Sequence, residues 1–168
     1  TLWGSNVSAA RAEFGSMESW DVSRITTLEG ISSNFCTRRE LNPSPNGLWN
    51  HWICLERQFG NISGWDVSRV TDMERAFCRA YLFNCDLSSW DVSGVVRLPF
   101  IFDFAMSFNG DVSTWDVSRV TAMNGMFYEA MSFNSDLSNW NVANVKSMTS
   151  MFGSTAFFKG DISKWDVS

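Results

Sequence analysis

Carboxylates recur in two series along this chain, and they are the residues whose type and spacing could do chemistry. The first series directly follows a repeated tryptophan and comprises Asp21, Asp66, Asp91, Asp116 and Asp166, with Asn141 in the remaining place. The second comprises Asp86, Asp111, Asp136 and Asp161, with Asn61 in the matching place. Such residues either cap turns by accepting backbone N–H bonds or offer oxygen ligands to calcium or a basic partner.

The first series is the better candidate for binding, because we expect it to face outward while its tryptophans face inward. The predicted binding column is therefore Asp66, Asp91, Asp116, Asn141 and Asp166. Turn capping is the competing explanation, since a fold requirement would also repeat in every copy. Both explanations remain open from the sequence.

Other chemistry finds little support. His51 is the only histidine, and no phosphate-binding loop, nucleophile elbow or metal-ligand motif is present. The sequence thus predicts no catalytic residue, no cofactor and no metal site, and we expect the protein not to be an enzyme. A formal net charge of −5 disfavours nucleic acid as a partner. No apolar run is long enough to predict a membrane-spanning helix.

Four cysteines are candidates for disulfides: Cys36, Cys54, Cys78 and Cys85. We expect Cys36 to pair with Cys54, with Cys78–Cys85 as the second pair and Cys36–Cys78 as the rival. The alternative is that all four are buried thiols that act as small apolar residues. Asn6 and Asn61 begin Asn-x-Ser sequons and are glycosylation candidates. Disulfides and glycans would both fit a secreted protein.

The elements that must position these residues follow from a tryptophan period of 25 residues, seen at Trp65, Trp90, Trp115, Trp140 and Trp165. Around each tryptophan the pattern apolar-x-x-apolar-x-apolar predicts a short strand. Val70, Met73, Phe77 and Ala80 then follow the spacing of one helical face. We therefore expect the α/β class, with a leucine-rich-repeat-like solenoid of about six coils, each with one short parallel strand and one short helix.

The predicted organisation is a single repeat domain over residues 1–168. Residues 1–13 form an N-terminal helical cap, 14–31 the first coil, 32–58 an insertion that breaks the period, and 59–168 the regular coils. The last coil has no cap in this prediction, so we expect a partner or further repeats to cover the C-terminal end.

The unit Trp-Asp-Val-Ser-x-Val-Thr-x-Met-x-x-Met-Phe-x-x-Ala-x-x-Phe-Asn-x-Asp-Leu-Ser stands nearly intact at 115–138. It resembles the repeat of the BspA-type leucine-rich-repeat-like surface proteins, which are found in mycoplasma lipoproteins, other bacterial surface proteins and microalgae. The resemblance covers about residues 14–28 and 59–168. It implies an extracellular or cell-surface protein with an adhesion role that binds a protein or glycan. The alternative is a structural subunit of a surface filament or large assembly, joined through its uncapped end.

Overall fold

The 25-residue repeats form coils that stack on one another. The structure, a computed structural model, describes residues 17–31 and 60–167. We name 17–31 coil 1, 60–84 coil 2, 85–109 coil 3, 110–134 coil 4, 135–159 coil 5 and 160–167 the final half-coil. The predicted helical cap at 1–13 and the insertion at 32–58 lie outside the described residues.

The prediction of an α/β solenoid is wrong. Across the two described ranges, the helical content is a single turn of 3₁₀-helix, Met17–Ser19. No strand is formed there either. Adjacent coils share only isolated parallel bridges, which join Thr27 to Asp72, Asp72 to Arg97, Arg97 to Ala122 and Ala122 to Ser147. The coils consist of consecutive turns, so the leucine-rich-repeat-like plan of a strand and a helix per coil is also wrong.

The predicted strand around each tryptophan is replaced by two turns. In coil 2 the Trp65 amide donates to the Ile62 carbonyl at 3.0 Å, and the Val70 amide donates to the Val67 carbonyl at 2.8 Å. Bonds across three residues bend the chain and leave no extended edge. The burial pattern was nevertheless predicted correctly, since Trp65 and Val67 are buried and Asp66 between them is exposed.

The predicted helix over Val70–Ala80 fails for a different reason, because its amides bond to the next coil. The N–H groups of Met73, Arg75, Phe77 and Arg79 donate to carbonyls of coil 3, whereas a helix would use carbonyls four residues earlier. Arg75 and Arg79 also have φ of 55° and 61°, in the left-handed region that interrupts a helix. The apolar residues still face inward, since Met73 and Phe77 are fully buried.

Stacked aromatic columns fill the core. Neighbouring tryptophan rings in the pairs Trp20–Trp65, Trp65–Trp90, Trp115–Trp140 and Trp140–Trp165 have centroids 6.3–6.5 Å apart. Two phenylalanine columns run beside them: Phe77, Phe102, Phe127 and Phe152, and Phe83, Phe108, Phe133 and Phe158. Within coil 3 the two columns touch, since the ring centroids of Phe102 and Phe108 are 3.8 Å apart. Each aromatic pair adds about 0.5–1.5 kcal/mol beyond its buried area.

The tryptophans also bind neighbouring coils through their indole N–H groups. Trp115 Nε1 donates to the Leu87 carbonyl of the previous coil at 3.0 Å, and Trp140 Nε1 donates to the Val112 carbonyl at 3.1 Å. The same bond is made by Trp90 to Ile62 and by Trp165 to Leu137. A buried indole N–H needs such an acceptor. Tryptophan therefore supplies both apolar area and a specific bond across each of these coil boundaries.

Gly125 shows how closely the turns of coil 4 approach those of coil 3. Its φ is +55°, and a Cβ atom there would lie 2.5 Å from two atoms of the Phe100 ring. Gly64 is the opposite case, because a Cβ atom there would meet nothing within 4 Å. The two glycines thus form a matched pair for testing the turn geometry.

We expect Gly125→Ala to lower the free energy of unfolding by about 1–3 kcal/mol, because left-handed strain and the Phe100 clash add together. We expect Gly64→Ala to change it by less than about 0.5 kcal/mol. Urea denaturation of both variants and the parent measures the difference. Equal stability of the two variants would contradict the turn structure of coil 4.

Candidate functional site

The candidate site is the column of acidic residues beside the tryptophans, which we call the Trp-side column: Asp21, Asp66, Asp91, Asp116, Asn141 and Asp166. All six residues are exposed. In coils 2 to 5 they lie between a buried tryptophan and a buried valine, which puts one carboxylate or amide on the surface in each coil. The prediction that this column faces outward is confirmed.

Turns hold the carboxylates of Asp21, Asp66, Asp91 and Asp116 in fixed directions. Asp66 Oδ1 accepts the Ser68 amide at 3.1 Å, and Asp116 Oδ1 accepts the Ser118 amide at 3.0 Å. The Ser68 hydroxyl donates to the same Asp66 oxygen at 2.6 Å. Asp21 and Asp91 make both bonds as well, to Ser23 and Ser93. These are Asx turns, so the capping explanation describes a role the residues do perform.

Asn141 shows that this turn does not need a charge. Its Oδ1 accepts the Ala143 amide at 3.2 Å, in the same arrangement as the aspartates. The carboxylate charge of the other members is therefore not required by the turn. Because the turn does not require the charge of the aspartates, that charge is available for binding a partner.

The second column is built in the same way. Asp86, Asp111, Asp136 and Asp161 each accept the amide of the serine two residues later at 2.9 Å. Asn61 accepts the Ser63 amide at 3.1 Å and also accepts the Cys85 Sγ–H. Asn61 is also a glycosylation candidate, and the structure places it at an exposed turn. Asn6, the other candidate, lies outside the described residues.

Hydrogen bonding lowers the pKa of several of these carboxyls below the usual value of 3.8. For Asp66 and Asp116 the largest cause is the hydroxyl of the following turn serine, and the second is its amide. Charge repulsion along the column acts in the opposite direction and is weaker, as with Asp21 on the pKa of Asp66. The turn bonds therefore favour the ionised form of Asp21, Asp66 and Asp116.

Metal binding is not supported by this geometry. Within residues 17–31 and 60–167, no group of three or more Asp, Glu, His or Cys side chains is placed to hold a metal ion. The calcium alternative for the column therefore has no ligand set in the described part of the chain. His51 lies outside it.

The cysteines that the structure describes are thiols. Cys78 Sγ donates to Asp103 Oδ2 at 3.3 Å, and Cys85 Sγ donates to Asn61 Oδ1 at 3.5 Å. They occupy different positions of the repeat, and the structure contains no Cys78–Cys85 disulfide. Burial, followed by the charge of Asp103, raises the pKa of Cys78 to about 12, which makes it a poor nucleophile. Cys36 and Cys54 lie outside the described residues, so Cys36–Cys54 stays a prediction, whereas the rival pairing Cys36–Cys78 does not agree with the Cys78 thiol.

The sequence analysis missed a column of asparagine side chains. Asn84 Oδ1 accepts the Asn109 amide, Asn109 Oδ1 accepts the Asn134 amide, and Asn134 Oδ1 accepts the Lys159 amide, each at 2.8 Å. These bonds join successive coils at the position after each corner phenylalanine. The signal was present in the sequence, because Asn84, Asn109 and Asn134 follow Phe83, Phe108 and Phe133 at the repeat spacing. The role of this column is structural.

The pKa shifts predict how acid affects stability. A carboxyl with a lowered folded-state pKa adds stability that is fully present above its unfolded-state pKa and is lost as pH falls through the folded-state value. We expect the double variant Asp66→Asn, Asp116→Asn to keep its turns, as Asn141 does, but to lose stability less steeply than the parent below about pH 4. Urea unfolding at a series of pH values measures the two slopes. Identical slopes would show that these turns do not favour the ionised carboxylates.

Comparison with known proteins identifies one family. The sequence model of the family described as "Mycoplasma protein of unknown function, DUF285" matches residues 50–165, more than two thirds of the chain. No curated protein and no solved structure matches. In the part of the chain that the structure describes, no helix is long and apolar enough to cross a membrane.

Proposed function

We propose that this chain, which belongs to the DUF285 family, is a non-enzymatic repeat protein of the cell surface or extracellular space that binds a protein or glycan partner. The Trp-side column is the proposed binding surface. The observation that carries the proposal is its row of exposed carboxylates, held in fixed directions by Asx turns that do not require their charge.

A binding role follows from the energetics of this row. Four of the carboxylates are already oriented by their turns, so a partner would not have to order them. Repeats place the charges at regular intervals, and a partner with several Lys or Arg side chains could engage more than one at a time. The charge favours a basic protein segment over a neutral glycan. The cell-surface location rests on the finer resemblance to BspA-type surface proteins and on the two sequons.

A second candidate function is that of a structural subunit in a surface filament or assembly, joined through the last coil. One observation favours it. Ile162 and Val167 are 37% and 74% exposed, whereas the equivalent Leu137 and Val142 of the previous coil are 0% and 2% exposed. Two positions that are buried in coil 5 are thus apolar and exposed in the final half-coil.

The binding proposal predicts that charge, and not turn structure, matters at the column. We expect Asp91→Asn with Asp116→Asn to leave the melting temperature nearly unchanged and to reduce binding several-fold, because the amides keep the turns but remove two charges. Binding is measured first to a decalysine peptide and then to proteins captured from surface extracts and retested in purified form.

The matched control is Asp86→Asn with Asp111→Asn, which removes the same charge from the second column. An equal loss of binding in both variants would show only general attraction to an acidic protein, and would contradict the assignment to the Trp-side column. If the variant with Asp91→Asn and Asp116→Asn still binds a neutral oligosaccharide, the result would favour a glycan as the partner.

A further inference from the structure

Two Asn-Gly pairs lie in the part of the chain that the structure describes. They are Asn109-Gly110, at the boundary between coils 3 and 4, and Asn124-Gly125, within coil 4. An asparagine before a glycine can lose its side-chain amide, because the glycine nitrogen can attack the side-chain carbonyl carbon and no Cβ atom hinders the approach. The two pairs are chemically alike, so the fold decides any difference in their reactivity.

In Asn124-Gly125 the attacking nitrogen is already engaged. The Gly125 amide donates to the Thr149 carbonyl of coil 5 at 2.9 Å. The Asn124 side chain is held as well, since its Oδ1 accepts the Thr149 amide at 3.2 Å and the Ser147 hydroxyl. Attack on Asn124 would have to break a backbone bond between two coils. The folded chain therefore protects this pair.

The nitrogen of Asn109-Gly110 has no such engagement. Gly110 is buried, and its amide donates to no other residue within 17–31 and 60–167. A buried N–H group without an acceptor is uncommon in folded proteins. Asn109 itself is exposed, so water reaches its side chain. Attack by the Gly110 nitrogen thus breaks no hydrogen bond to the described part of the chain.

The asparagine column makes Asn109 a better electrophile. Its Oδ1 accepts the Asn134 amide at 2.8 Å. Negative charge develops on Oδ1 when a nitrogen adds to Cγ, and a donor in this position stabilises that charge as an oxyanion hole does. Asn84 and Asn134 occupy the same place in other coils, but they are followed by Cys85 and Ser135, whose Cβ atoms hinder attack. Asn109 is therefore the reactive member of the column.

We propose that Asn109 is a site of spontaneous deamidation in the folded protein, whereas Asn124 is protected. The Gly110 nitrogen loses its proton to hydroxide and bonds to Asn109 Cγ. The side-chain nitrogen takes up a proton and leaves as ammonia, which closes a succinimide ring. Water then opens the ring at one of its two carbonyls and gives aspartate or isoaspartate. In total one water is consumed and one ammonia is released, with no change of oxidation state.

The two products affect the boundary between coils 3 and 4 differently. Aspartate keeps an oxygen in the place of Oδ1, so the bond from the Asn134 amide is retained and one negative charge is added two residues before Asp111. Isoaspartate passes the backbone through the side chain and displaces Gly110. That residue has no space to move, because even a Cβ atom there would lie 2.3 Å from the Cys85 carbonyl oxygen. We therefore expect isoaspartate to weaken this boundary.

The test follows both pairs in one sample of the full chain, incubated folded and in concentrated urea at neutral and mildly alkaline pH. Peptide mapping by mass spectrometry detects the conversion of amide to acid, and electron-transfer fragmentation separates aspartate from isoaspartate. In urea we expect Asn109 and Asn124 to convert at similar rates. In the folded protein we expect Asn109 to convert several-fold faster than Asn124, and faster at the higher pH, because the nitrogen attacks after losing its proton.

Equal rates at the two pairs in the folded protein would overturn the proposal, because they would assign the reaction to unfolding and not to the native geometry. Conversion of Asn109 in urea but not in the folded chain would overturn it as well. Asn109→Asp carries the first product from the start. We expect its melting temperature to stay close to that of the parent, and a large decrease would contradict the retained bond to the Asn134 amide.

Discussion

The structure depends on hydrogen bonds between neighbouring coils, and the indole bond of tryptophan is the most specific of them. A chain of consecutive turns cannot satisfy its own amides as a helix does. Coil 3 therefore gives the carbonyls that coil 2 needs, and Trp115 reaches back from coil 4 to the Leu87 carbonyl. Because each coil completes its neighbour, every copy must adopt nearly the same path, and a constant period follows from that requirement.

The surface columns are a consequence of the same constraint. Once each coil repeats the path of the last, residues one period apart lie above one another, and a turn aspartate becomes a column of aspartates. Asp66 and Asp116 are needed locally because their Oδ1 atoms cap turns. Asn141 makes the same turn without charge, so the charge of the column is the property that the fold leaves available for a partner. The fold thus uses the turn bond of these residues, and the proposed function uses their charge.

The burial of side chains could be predicted from the sequence, whereas the backbone conformation could not. The tryptophan period, the inward direction of Trp65 and Val67 and the outward direction of Asp66 follow from side-chain polarity alone. The spacing of Met73 and Phe77 fits one face of a helix, but it fits a series of turns equally well when alternate amides bond to another coil. Left-handed backbone at Phe100, with φ of 57°, has no local signal, because phenylalanine rarely adopts it.

The central claim is that the indole N–H joins the coils, and replacing one atom tests it most directly. 3-Benzothienylalanine in place of Trp115 keeps the shape of the side chain but has sulfur where the N–H donor was. Our account predicts a loss of about 0.5–1.5 kcal/mol in the free energy of unfolding, because the Leu87 carbonyl loses the bond between coils and keeps only the Trp90 amide as a donor. Stability equal to that of the parent protein in denaturant titration would contradict it, and would assign the role of tryptophan to ring packing alone.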